Sequence, residues 1–95
     1  MNRLPVETGS VVRSKAGRDQ GRLFLVVEEV DDDFVMIANG DLRKLDRLKK
    51  KRRKHLKPTG SVAEELRARL AAGQPVEDHE LRSWLSKEEE KLVQV

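Results

Sequence analysis

Ten of the sixteen residues at positions 42–57 are lysine or arginine, against a single acid, Asp46. The cations are Arg43, Lys44, Arg47, Lys49, Lys50, Lys51, Arg52, Arg53, Lys54 and Lys57, with His55 among them. Like charges at this density repel one another, and a polyanion relieves the repulsion while releasing its own condensed counterions. The chemistry on offer is phosphate binding. If about four to six of these side chains neutralise phosphates, log K falls against log salt with a slope of about −3 to −5. Such contacts fix position and carry no base information, so weak sequence preference and recognition of RNA shape are expected. With 3% aromatic residues, platforms for stacking unpaired bases are scarce.

A second segment at 14–22 has the same character. Ser14, Lys15, Arg18 and Arg22 surround Gly17 and Gly21, and glycines let a backbone come close to a phosphate and turn its amides toward it. A tight turn would also account for both glycines. Asp19 is placed to orient Arg18 or Arg22 through a charge-assisted hydrogen bond.

Other residue types that do chemistry are isolated. His55 and His79 lie in different elements with no ligand-spaced neighbours, so no metal site is expected. Asp31-Asp32-Asp33 lacks the alternating ligands, glycine and closing glutamate of a calcium loop and reads as a hairpin tip. Ser10, Ser14 and Ser61 carry no nucleophile motif. The chain has no cysteine, which excludes disulfides and thiolate metal sites. With no cofactor motif either, the sequence reads as a binding protein, not an enzyme.

These segments need a scaffold. Val11-Val12, residues 23–27 and residues 34–38 are short apolar runs rich in β-branched and aromatic residues, and read as strands. Asn39-Gly40-Asp41 is a turn, after which the basic tract leads to His55-Leu56-Lys57-Pro58 with room for a returning strand. Four or five closely spaced strands without crossover helices predict a small barrel of the SH3-like kind. Leu42, Leu45, Leu48 and Leu56 should pack it.

Pro58-Thr59-Gly60 is expected to break the β pattern. Ser61-Val62-Ala63-Glu64 then has capping-box form and predicts a helix with Ser61 as N-cap, carrying Val62, Leu66 and Leu70 on one face and ending at Gly73 and Pro75. A second helix opens near Glu77 or Asp78 with Leu81, Trp84 and Leu85 on its stripe and Glu88-Glu89-Glu90 in water. Neither is long enough to stand alone. Trp84 reads as core, with a protein-docking face as the other possibility.

The stretch Gly9-Ser10-Val11-Val12-Arg13-Ser14-Lys15-Ala16-Gly17-Arg18-Asp19-Gln20-Gly21-Arg22, followed by the strand at 23–27, resembles a KOW motif of ribosomal and transcription factors. The likeness extends through Ile37-Ala38-Asn39-Gly40-Asp41-Leu42-Arg43-Lys44 to His55-Leu56, roughly the first 58 residues. It is similar to small KOW-domain RNA-binding proteins like a large-subunit ribosomal protein of archaea and eukaryotes. The resemblance implies an SH3-like barrel, Gly21 as the hallmark glycine, and RNA contacts from Lys15, Arg18 and Arg22. Gln20 departs from it, since a basic residue is usual there.

The chain therefore reads as mainly β with an α tail: residues 6–58 as a KOW-type SH3-like barrel with its basic tract, residues 59–95 as an acidic helical hairpin. Residues 1–60 carry fifteen Lys/Arg against nine Asp/Glu, and residues 61–95 five against eight. No apolar run follows Met1-Asn2-Arg3-Leu4-Pro5 and none approaches spanning length, so a cytoplasmic monomer is expected. Membrane-surface binding would need an apolar anchor beyond the four leucines, and a nuclear-localisation reading of residues 49–54 leaves the glycine loop unexplained. The expected ligand is structured RNA, ribosomal by the resemblance, in ribosome association, assembly or translation. The alternative is an adaptor whose barrel binds a translation or transcription factor and whose basic tract binds an acidic protein surface; separately, the C-terminal helices could dock a protein partner.

Overall fold

Leu23-Phe24-Leu25-Val26 are buried without exception. Successive side chains of a strand point to opposite faces, so such a run requires cover on both sides of its sheet. The computed structural model, which describes residues 5–93, supplies both. Met1 to Leu4, part of the N-terminal segment weighed above, and Gln94 and Val95 of the tail lie outside the described residues.

The strands are β1 (Ser10–Ser14), β2 (Leu23–Glu29), β3 (Phe34–Ala38), β4 (Lys49–Arg52) and β5 (Leu56–Val62), with a 3-10 turn at Arg53–His55 between the last two. Helices α1 (Glu64–Ala71) and α2 (Asp78–Val93) follow. All strand pairings are antiparallel, in the order β4-β3-β2-β1-β5, so β4 and β5 are the edges of an open five-stranded sheet. Val12, Phe24, Val26, Val35, Ile37 and Leu56 cluster on one face. Val11, Leu23, Leu25 and Ala38 lie on the other, where Leu66 of α1 and Leu81 and Leu85 of α2 cover them. Full burial of Leu66 and Leu81 stabilises the fold by about 1.5–3 kcal/mol each. The helical stripes are core, and Trp84 packs beside them with its indole N–H donating to Glu65 Oε2 at 3.1 Å.

Polar side chains hold the turns. Asp31 Oδ1 accepts from the amides of Asp33 and Phe34, each at 2.8 Å, and these bonds, the Asp33 amide first, hold its carboxyl below the ordinary carboxylate value. Asn39 Oδ1 accepts from the amides of Asp41 at 3.0 Å and Arg43 at 2.9 Å. The end of α1 is a Schellman motif: Gly73, at φ +68°, donates to Leu70 O and Gln74 to Arg69 O.

Four expectations are corrected. Pro58-Thr59-Gly60 does not break the β pattern; β5 runs through it and across the expected boundary after residue 58. Proline is admissible there because β5 is an edge. A register shift opposite Ser10 to Val12, with Gly60 at φ +93° and Thr59 Oγ1 donating to Val11 O at 2.9 Å, accommodates the turn residues. The capping box at Ser61 does not form, since Ser61 and Val62 belong to β5 and Ala63 is the N-cap, without a side-chain bond. The reach-back occurs in α2 instead, where Glu80 Oε1 accepts the Glu77 amide at 3.1 Å. Leu42 is 56% exposed rather than packed, while Leu45 and Leu48 rest against the helix-covered cluster. Glu88 is not in water: its side chain is 12% exposed, and Oε1 meets Lys91 Nζ at 3.4 Å. Among the described residues, no helix is long and apolar enough to cross a membrane.

Candidate nucleic-acid interface

The 14–22 loop is closed across its neck. Ser14 donates its amide to Arg22 O at 3.0 Å and accepts the Gly21 amide at 2.8 Å, while Gln20 closes on Gly17 O at 3.2 Å. Gly17 and Gly21 take φ of +79° and +86°, a region costly for side-chain-bearing residues. Both glycines are exposed, as are Lys15, Arg18 and Arg22. Ser14 is not on the surface, contrary to its place among the expected RNA contacts: it is 2% exposed and its hydroxyl donates to Ala16 O at 3.0 Å. Its amide partners make it a shaper of the loop.

The basic tract is brought against this loop at three points. Lys51 Nζ donates to Ala16 O at 3.1 Å, the Lys15 amide donates to His55 O at 2.8 Å, and Arg43 meets Asp19 Oδ2 through Nε at 3.3 Å and a terminal nitrogen at 3.2 Å. Asp19 is thus engaged by Arg43, twenty-four residues away, and not by Arg18 or Arg22. Its side chain is 5% exposed, so the pairing satisfies a carboxylate that burial would otherwise penalise heavily.

The strand period divides the tract. Lys49 and Lys51 pair with Ile37 and Val35 and are half-buried, whereas Lys50 and Arg52 pair with Met36 and Phe34 and are exposed. The latter two sit over the Phe34 ring, 4.6 and 4.8 Å from its centroid, which occupies the one aromatic on that strand. Arg53 is committed inward: Nε donates to Asp31 O at 3.1 Å, and its terminal nitrogens reach Val6 O and Glu29 Oε1. His55 is half-buried in the 3-10 turn.

Nine cations of the loop and tract remain exposed: Lys15, Arg18, Arg22, Lys44, Arg47, Lys50, Arg52, Lys54 and Lys57. Among the described residues none of them meets a carboxylate within ion-pair distance. Comparison with protein-family models and with curated proteins returns no match to this chain. Chemical function is therefore read from the surface itself. Lys15, Arg52, Lys54 and Lys57 rim a groove of about 880 Å³ whose walls include Leu56 and Pro58. A row of unpaired cations beside an open concavity can hold successive phosphates without first breaking internal ion pairs.

Sequence reasoning missed Arg13. One guanidinium nitrogen donates to Gly21 O and another meets Glu89 Oε1 of α2 at 3.3 Å, so the acidic helix reaches the glycine loop. The missed signal is positional: Arg13 is flanked by the buried Val12 and Ser14, and a cation on a strand facing away from one cluster must find partners on the other side. Nothing local in the sequence marks Glu89 as that partner.

Proposed function

We propose that this protein binds folded RNA by backbone and shape contacts, with the 14–22 loop and the 43–57 tract forming one surface. The carrying observation is their joining by Asp19 and Arg43, Lys51 and Ala16, and Lys15 and His55, which fixes the exposed cations relative to the glycine loop. A preorganised cation array avoids much of the ordering cost of binding. In this reading the sheet is an SH3-like barrel of the KOW kind. Support comes from the single-turn connection between its two edges and from the cluster that draws on β1, β2, β3 and β5. The KOW resemblance makes ribosomal RNA the proposed ligand, and ribosome association, assembly or translation in the cytoplasm the proposed setting, for a monomer.

A protein partner docking on the C-terminal helices has less to stand on, because Leu66, Leu81 and Leu85, the residues such a face would present, are buried on the sheet. Crosslinking in cells followed by sequencing of the bound RNA tests the proposal. Enrichment of ribosomal RNA is expected, and a profile without it overturns the ribosomal part. In filter binding, equal affinity for ribosomal RNA fragments, duplex DNA and heparin would reduce the claim to polyanion binding.

A further inference from the structure

The groove beside the loop is not uniformly cationic. Asp32 and Asp33 line it together with Lys15, Lys54 and Lys57, and neither has a cation within ion-pair distance among the described residues. Two carboxylates without a cation partner among the described residues repel phosphate, so a continuous backbone track past them is unfavourable. What they accept is a group rich in N–H donors, and the unpaired bases of an RNA supply such groups without charge.

Arg53 also lines the groove. Each of its three nitrogens already donates to a protein oxygen, on Asp31, Val6 and Glu29. Its side chain is nevertheless 25% exposed. Three of its five N–H groups are engaged, which holds the plane of the guanidinium in place, and bases stack on the flat face of such a group as they do on aromatic rings. Phe34 does not compete for the role, since Lys50 and Arg52 cover it.

We infer that the groove takes one unpaired guanine base of the bound RNA, stacked on Arg53, its Watson–Crick edge donating to Asp32 and Asp33 and its neighbouring phosphates held by Lys15, Lys54 and Lys57. Guanine is the base whose N1–H and N2–H2 stand side by side; adenine and uracil lack that adjacent pair. The inference rests on the RNA-binding reading and adds a local base preference to a surface that otherwise reads shape. Asp31 is no part of it, because its carboxylate is engaged by the hairpin amides.

Fluorescence anisotropy at one fixed salt concentration, with stem-loops identical except for a single bulged nucleotide, provides the test. The bulged-guanosine stem-loop should bind about tenfold more tightly than its adenosine or uridine counterparts or the fully paired stem. The Asp32→Ala/Asp33→Ala variant, altered only at exposed hairpin positions, should lose that preference while binding the paired stem at least as well. Equal affinity for every bulge overturns the inference, and so does a guanosine preference that survives in the double variant. Failure to bind any stem-loop overturns the RNA-binding reading with it.

Discussion

Gly40 and Gly21 both sit at positive φ, +77° and +86°, in turns that precede or contain cationic residues, yet their surroundings are opposite. A Cβ on Gly40 would overlap Asp78 O and lie 3.2 Å from Arg82 Cγ, whereas one on Gly21 would meet nothing within 4 Å. The 39–43 turn is closed by α2: Asp78 Oδ1 accepts the Leu45 amide at 2.8 Å, and Arg82 donates to Gly40 O. The 14–22 loop is tied to the same helix by Arg13, which bridges Gly21 O and Glu89 Oε1, and its glycines stay in the open. Backbone permissiveness serves packing at one place and leaves access for a ligand at the other.

Gly40→Ala should give the largest effect. Positive-φ strain and a clash with immobile backbone together cost about 2–5 kcal/mol, seen as a lower urea midpoint at unchanged slope. A midpoint near that of the native chain would mean that α2 does not close the turn. Arg43→Ala comes next, because it leaves the buried Asp19 carboxylate unpaired. A loss of about 2–3 kcal/mol is expected, recovered in part by Asp19→Ala/Arg43→Ala, and a double-mutant cycle without coupling would detach the loop from the tract.

The strands buried on both faces were legible, since residues 23–27 and 34–38 announce themselves by unbroken apolar runs. The edges were not. β4 is Lys49-Lys50-Lys51-Arg52, with no apolar residue to show a period, and β5 contains Pro58 and Gly60, which punctuate chains in most contexts. Both are strands because β3 and β1 offer them ladder partners, a tertiary fact that local propensity does not carry. The same limit applies to the site. Charge density in the tract and glycines in the loop were visible, but the pairing of Asp19 with Arg43, the inward commitment of Arg53 and the burial of Ser14 depend on contacts between distant positions.

Smaller effects sharpen the contrast further. Gly21→Ala has no clash to suffer, so strain alone, about 1 kcal/mol, should appear in denaturation. Affinity for folded RNA should fall by about tenfold, equivalent to 1.4 kcal/mol. A variant that binds normally would show that the open glycine has no ligand to admit.

Acid should produce the mildest change. The Arg69 guanidinium holds the Glu80 carboxyl below its ordinary value of 4.5, and hairpin amides do the same for Asp31, ordinarily 3.8. A carboxylate whose pKa is depressed in the folded state contributes stability that is complete above its unfolded value and is lost as pH falls through the folded one. Stability from these two groups should therefore be flat at neutral pH and decline below about 4.5. Glu80→Gln, on the helix that closes the 39–43 turn, should flatten that decline in an acid titration of the urea midpoint.

The sheet ends on one side in four consecutive cations and on the other in a strand carrying Pro58. An exposed edge is a template on which a second chain can add strand by strand, the first step toward fibrils. Here a proline withholds an N–H at one edge, and at the other two chains approaching each other would bring lysine against lysine. The row of charge that would draw in a polyanion thus also holds identical chains apart, protecting against self-templated aggregation at high protein concentration.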